Sequence, residues 1–283
     1  MGSQIMSDFI FLPKVHPEIA AECDVTRLVS NRRGSTAPLL EYKVAVYSQP
    51  LDSCLWELLD VAEFGPSLAI KLSTADYPLE VGQLLVGVPI PLNETPPTER
   101  PDLPAPISRR RDDAPVAERA AIRFVYRRAR SSYQGDYPYG MSRREHGSLF
   151  SMGALLACQS AQSKTFATMV NVVSTPLSGK APCTFTMRDC NGRAVIASAS
   201  FVRNSVAILE ISGTFQALAK EVYFGSDDVI GIPIFISIRA DGEASTISVE
   251  HSHPPHEYFW KYAQEQGGKR VKSAWMEKVK IDA

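Results

Sequence analysis

From residue 165 onward the chain offers one run after another that suits a β-strand and little that suits a long helix. The runs are "TFATMVNVVS", "CTFTMRD", "AVIASASFV", "SVAILEISGTF", "VIGIPIFISIRA" and "STISVEH". Each is short, rich in β-branched or aromatic residues that fit a pleated surface, and set off from the next by turn residues at roughly 10 to 20 positions. Asn191 and Gly192 in "MRDCNGRAV", and Asp241 and Gly242 in "RADGEAS", supply the positive φ angles that tight hairpins need. Many short strands without intervening helices predict a mainly β protein whose C-terminal part is an antiparallel sandwich or barrel, not a parallel α/β enzyme fold.

The N-terminal part is expected to be a smaller β-rich unit, residues 1–88. "LEYKVAVYS" alternates as a strand, and "PSLAIKLS" and "GQLLVGVPI" follow the same pattern. Between them "LDSCLWELLDVAEFG" places Leu55, Leu58, Leu59 and Ala62 at helical spacing behind Asp52 or Ser53 as N-cap, which predicts one amphipathic helix ending near Gly65. Eight prolines in residues 88–116 remove backbone donors and favour extended conformation, so residues 89–116 read as a linker or as a proline-rich docking segment for a partner. Residues 117–283 then form the antiparallel domain. "AIRFVYRR" sets Ile122, Phe124 and Tyr126 against Arg123, Val125 and Arg127 on its other face. "SLFSMGALLACQS" fits a helix or a buried strand equally, and "EYFWKYAQEQGG" reads as a short helix stopped by Gly267 and Gly268.

Charge is balanced overall, with a formal net of -1, which excludes a globally basic nucleic-acid binder. Its distribution is uneven. Ten arginines and no lysine lie between Arg109 and Arg144, against four acidic residues, a local excess of +6. Planar guanidinium groups suit phosphates, so Arg109, Arg110, Arg111, Arg123, Arg127, Arg128, Arg130, Arg143 and Arg144 are the candidate polyanion-binding set, for RNA or an anionic membrane surface. The tyrosines of "RSSYQGDYPYG" could stack on bases. The same pattern also suits a solvated arginine-rich loop. A second basic cluster, Lys269, Arg270 and Lys272 beside Trp275, suits a membrane or partner contact.

Catalytic signatures are missing: no GxxxxGK[ST] loop, no GxGxxG after a strand, and no GxSxG elbow. Cys158 with His146 is one arithmetical nucleophile pair that no spacing singles out. The segment "HSHPPHEYFW" is the remaining candidate for chemistry. His251 and His253 are two apart on a strand, hence on one face, with His256 or Glu250 available as a third ligand for a divalent metal. Pro254 and Pro255 stiffen the path to His256, and a strand end followed by a proline turn explains the same residues without metal.

Cys23, Cys54, Cys158, Cys183 and Cys190 form an odd set without a CxxC pair, which predicts free thiols and an intracellular, reducing location. No window reaches eighteen apolar residues and "MGSQIMSDF" lacks a signal peptide's basic and apolar regions, so no transmembrane segment or export is expected. These features favour a non-enzymatic structural or assembly protein, a homo-oligomer that binds a polyanion and needs no cofactor. Viral matrix, capsid and movement proteins are built in this style, an analogy of architecture that no motif here carries. The alternatives are a metal-dependent enzyme on a β scaffold and a protein–protein interaction module using the proline-rich segment.

Overall fold

The computed structural model describes residues 5–7, 9–26, 42–64, 69–105, 116–118, 121–134, 148–151, 163–173, 176–188, 194–211, 222–229, 231–241 and 244–251. Every regular element among them is a strand, nineteen in all. The longer sheets are open and antiparallel. Each of the six runs picked out after residue 165 contains a strand, so the dominant β expectation holds.

Contacts divide the chain into two compact units. The first comprises Met1–Val125, Ser132–Tyr137 and Ser174–Lys180, and the second comprises Tyr126–Ser131, Pro138–Val173 and Ala181–Ala283. The first unit carries a five-stranded sheet of β2 (Ile10–Pro13), β7 (Leu84–Pro91), β4 (Tyr42–Ser48), β5 (Trp56–Ala62) and β8 (Glu99–Arg100), in that order. Its central strands are buried almost throughout, because a strand covered on both faces needs continuous apolar sequence, as "LLVGVPI" provides. A second sheet runs β11 (Ala129–Gln134), β10 (Ala121–Tyr126), β3 (Ile19–Thr26), β6 (Ala69–Ser73), with Tyr126 and Ala129–Ser131 grouped by contacts with the second unit. Two short strands, β1 (Ile5–Ser7) and β9 (Val116–Glu118), pair in parallel.

The helix expected over residues 52–65 is a strand. β5 pairs with β4, and a bulge leaves Leu59 without a partner between Leu58, opposite Tyr47, and Asp60, opposite Val46. The extra residue shifts the alternation, so Leu58 and Val61, three apart, fall in phase with Tyr47 and Ala45. Leu58 and Ala62, four apart on the expected helical face, are therefore out of phase, opposite Tyr47 and Val44. The burial confirms it: Trp56 is fully buried, whereas Leu55 of the supposed helical face is 38% exposed.

Between residues 91 and 105 the proline-rich stretch is mostly exposed but is tied at several points to the first unit's sheet. Tyr47 Oη donates to Pro97 O at 3.3 Å, Leu58 N–H donates to Thr98 O at 2.8 Å, β8 pairs with β5, and Leu103 is buried. Residues 106–115 lie outside the described residues.

The second unit contains two four-stranded sheets. One runs β12 (Ser148–Ser151), β17 (Tyr223–Ser226), β14 (Pro182–Arg188), β15 (Val195–Val202). The other runs β16 (Val206–Glu210), β13 (Ser163–Val170), β18 (Ile232–Asp241), β19 (Ala244–His251). Both sheets contribute to one apolar cluster, with Phe185, Phe224 and Phe201 from the first and Phe235, Met169 and Leu209 from the second. Phe224 meets Phe185 at 6.1 Å and Phe235 edge-on at 5.3 Å, the offset geometries that aromatic rings favour. Among the described residues neither sheet closes on itself, so the expected barrel is not supported. The β18–β19 register pairs Asp241 with Ala244, so Asp241 belongs to a strand and not to the turn expected of it. The "EYFWKYAQEQGG" helix lies outside the described residues. Among the described residues no helix is long and apolar enough to cross a membrane.

Candidate functional site

The arginine-rich region is the feature with most chemistry to place. β10 and β11 form a hairpin whose two loop residues are Arg127 and Arg128. Phe124 on β10 stacks on Tyr133 on β11 at 6.1 Å, which anchors the stem, and Ile122, Phe124 and Tyr126 are buried as their alternation requires. At the tip Arg127 has φ 54, a left-handed conformation normally left to glycine or asparagine in two-residue hairpin loops. Its guanidinium carbon lies 5.3 Å from the Tyr126 ring centroid, within cation–π range. The Tyr126 carbonyl accepts a long hydrogen bond from Ser245 Oγ on β19, 3.5 Å. Arg127, Arg128 and Arg130 are all exposed. The tip therefore presents three guanidinium groups within four positions on a braced two-stranded support.

Arg123 does not belong to that surface. Its Nε and Nη2 donate to Glu22 Oε2 at 3.1 and 2.9 Å, and its Nη1 donates to Asp24 Oδ2 at 3.1 Å. Lys71 Nζ on β6 sits 2.8 Å from the other Glu22 oxygen. Two cations from flanking strands thus close on two carboxylates of β3. Hydrogen bonding to Glu22 is the main reason the Arg123 guanidinium is held even more firmly protonated than usual. Its role is to tie the sheet together. No local pattern could reveal this, because its partners lie about a hundred positions away in sequence.

Arg109, Arg110, Arg111, Arg143 and Arg144 lie outside the described residues, as do Lys269, Arg270, Lys272 and Trp275. Of the candidate metal ligands, His251 ends β19 opposite Ile234 and Glu250 stands opposite Phe235. Consecutive strand positions belong to opposite faces, so Glu250 and His251 do not share one. His253 and His256 lie outside the described residues. Among the described residues no three His, Cys, Asp or Glu gather as a metal-binding group.

Sequence reasoning missed two sites of unusual polarity. Ser48 Oγ and both amide atoms of Gln49, all buried at the end of β4, have no hydrogen-bond partner among the described residues. Lys180 is half-buried, and desolvation lowers its amine to about 8 against the opposing charges of Cys54 and Asp52. Cys23, Cys54 and Cys183 are free, and burial foremost, with the Asp24 charge, pushes the Cys23 thiol up to about 12.

Comparison with known proteins adds little. No family model matches the chain, and no curated protein does. Among solved structures, a β-D-glucuronidase from Dictyoglomus thermophilum aligns at 9% identity over 86% of this chain and 35% of the enzyme, with a TM-score of 0.22. This chain thus spans about a third of that enzyme's length. An overlap so loose carries no argument about fold or activity.

Proposed function

We propose that this chain is a non-enzymatic structural or assembly protein that binds polyanions through its arginine-rich segment, with the Tyr126–Arg130 hairpin tip as a contact point. The single observation that supports it most is the exposure of Arg127, Arg128 and Arg130 together on a braced turn, one of them at a backbone angle that arginine rarely adopts. A left-handed angle at an exposed charged tip suits a contact residue. The ligand chemistry is a row of phosphates, as in single-stranded RNA or an anionic bilayer. The scaffold behind it is read as a two-sheet sandwich in the second unit, on the strength of the Phe224–Phe235 contact between its sheets. Free thiols suit a reducing compartment.

The test is binding of single-stranded RNA and of anionic vesicles across a salt series, for the wild type and for R127Q/R128Q/R130Q. Affinity for one of the two is expected to fall steeply with salt. If all three arginines meet RNA phosphates, the triple variant should lower the slope of log affinity on log salt by about 2. An affinity that is absent at low salt, or that the triple variant leaves unchanged, would overturn the reading.

A further inference from the structure

Two serines close the run "RRARSS", residues 127–132, and the sequence does not separate them. Arginines a few positions before a hydroxyl are what the acidic substrate groove of a basic-directed protein kinase selects by charge. Ser131 has Arg130, Arg128 and Arg127 one, three and four positions before it, and Ser132 has them two, four and five positions before it. Charge alone marks both hydroxyls.

The fold tells them apart. Along β11 exposure alternates: Arg130 and Ser132 are exposed, whereas Ala129, Ser131 and Tyr133 are half-buried. Successive strand positions face opposite sides, so Ser131 shares a side with Tyr133, whose ring stacks on the buried Phe124 at 6.1 Å. Ser132 shares the other side with Arg130, one strand repeat of about 7 Å along the chain. Arg127 and Arg128 are exposed in the loop that precedes them. The guanidinium groups and the Ser132 side chain are therefore accessible from solvent, and Ser131 is partly withdrawn.

We propose that Ser132 is a phosphorylation site for a kinase that takes arginine-rich substrates. Ser132 Oγ attacks the γ-phosphorus of ATP and its proton passes to the kinase's catalytic carboxylate. The bond from that phosphorus to the β–γ bridging oxygen breaks, and ADP leaves with the electron pair. The product carries about −1.5 to −2 at neutral pH and three acceptor oxygens, one strand repeat from Arg130 on the same face. Guanidinium and phosphate pair through charge-assisted hydrogen bonds. Three exposed arginines supply +3 at the tip, and the phosphate cuts this to about +1. Modification thus opposes binding of another polyanion. That consequence rests on the polyanion reading above, whereas the assignment of the site does not.

The first measurement incubates the folded full chain with Mg–ATP and the catalytic subunit of cyclic-AMP-dependent protein kinase, and places the phosphate by tandem mass spectrometry. Phosphate is expected on Ser132. S132A should lower the rate of labelling within residues 127–132 at least about tenfold, and S131A should leave it within about twofold, because the exposed hydroxyl is the acceptor. Circular dichroism of both variants should match the wild type. Phosphate on Ser131 instead, none within residues 127–132, or labelling only of heat-unfolded chain would each overturn the proposal. The second measurement compares phosphorylated and unmodified protein for binding to single-stranded RNA and to anionic vesicles. Affinity at low salt should fall at least about tenfold on phosphorylation, with the slope of log affinity on log salt lowered by about 1–2. An unchanged affinity would overturn the regulatory consequence. No binding by the unmodified protein, with phosphate on Ser132, would overturn the polyanion reading and leave the site.

Discussion

Asn171 and Asn204 lock the end of β13 to the turn between β15 and β16. The Asn204 backbone N–H donates to Asn171 Oδ1 at 3.2 Å, and Asn204 Oδ1 accepts from the Val173 N–H at 2.6 Å. The Asn171 N–H donates in turn to Ser205 O at 3.0 Å. Both side chains are buried, and Asn204 has φ 60, an angle that asparagine tolerates better than other side chains do. The turn thus satisfies backbone donors that no strand reaches.

Replacing Asn204 should separate these two contributions. Asn204→Gly keeps the backbone angle but leaves the Val173 N–H buried without an acceptor, a loss of about 1–3 kcal/mol. Asn204→Ala adds strain of about 1–2 kcal/mol at the left-handed angle and should be the worse of the two. Urea denaturation of both variants checks the order. Equal stabilities would show that the angle carries no strain.

Glu22 should give the protein an acid-sensitive limb. Burial is the largest influence on its carboxyl and opposes ionisation. Hydrogen bonds and charge from Lys71 and Arg123 together outweigh burial and hold it below the usual 4.5. A carboxyl lowered on folding contributes stability that is complete above its unfolded value and drains as pH falls through the folded one. Stability should therefore decline below about pH 4.5, and Glu22→Gln should flatten that part of the curve while lowering stability at pH 7 by about 1–3 kcal/mol. Thermal unfolding from pH 7 to pH 3 measures both effects.

Gln49 should be better replaced than kept. Its amide is fully buried and its oxygen and nitrogen find no partner among the described residues, so each carries a desolvation penalty that no described group offsets. Gln49→Met keeps the length of the side chain and removes the polar atoms, so a gain of about 1–3 kcal/mol is expected. A loss on denaturant unfolding would show that the amide is satisfied in solution.

Lys180 should work in the opposite direction to Glu22. Desolvation brings its amine down from 10.5 to about 8, so between those values the unfolded chain binds more protons than the folded one. Stability from this group should rise with pH across that interval. Lys180→Met should remove the rise and raise stability near neutrality. An unchanged curve between pH 8 and 10 would show that the amine is solvated.

Much of the strand order was legible because alternation is a local property. "STISVEH" buries Ile247 and exposes Thr246 and Ser248, and the period of two says so without any knowledge of partners, whereas "TFATMVNVVS" is rich in branched and apolar residues and is buried on both faces. Where the pattern misled, the helical spacing of Leu55, Leu58, Leu59 and Ala62 was not one buried face: Leu55 precedes β5 and is exposed, Leu59 is the bulge, and Leu58 and Ala62 pair opposite Tyr47 and Val44 on different faces. The candidate site was legible only in part. A run of arginines signals charge, but the sequence does not separate Arg123, closed on by two carboxylates, from Arg127, Arg128 and Arg130 at an exposed tip.

By itself the sequence determined that this chain is built of short antiparallel strands, since branched and aromatic residues at period two bury one face of a sheet and no other regular structure. Tertiary structure alone decided what each polar group does. Glu22 becomes the anchor of Arg123 because β3 lies beside β10, and Asn204 caps Val173 because two strand ends converge. Hydrogen bonds and ion pairs act over a few ångströms, and only the folding of distant segments onto one another sets those distances.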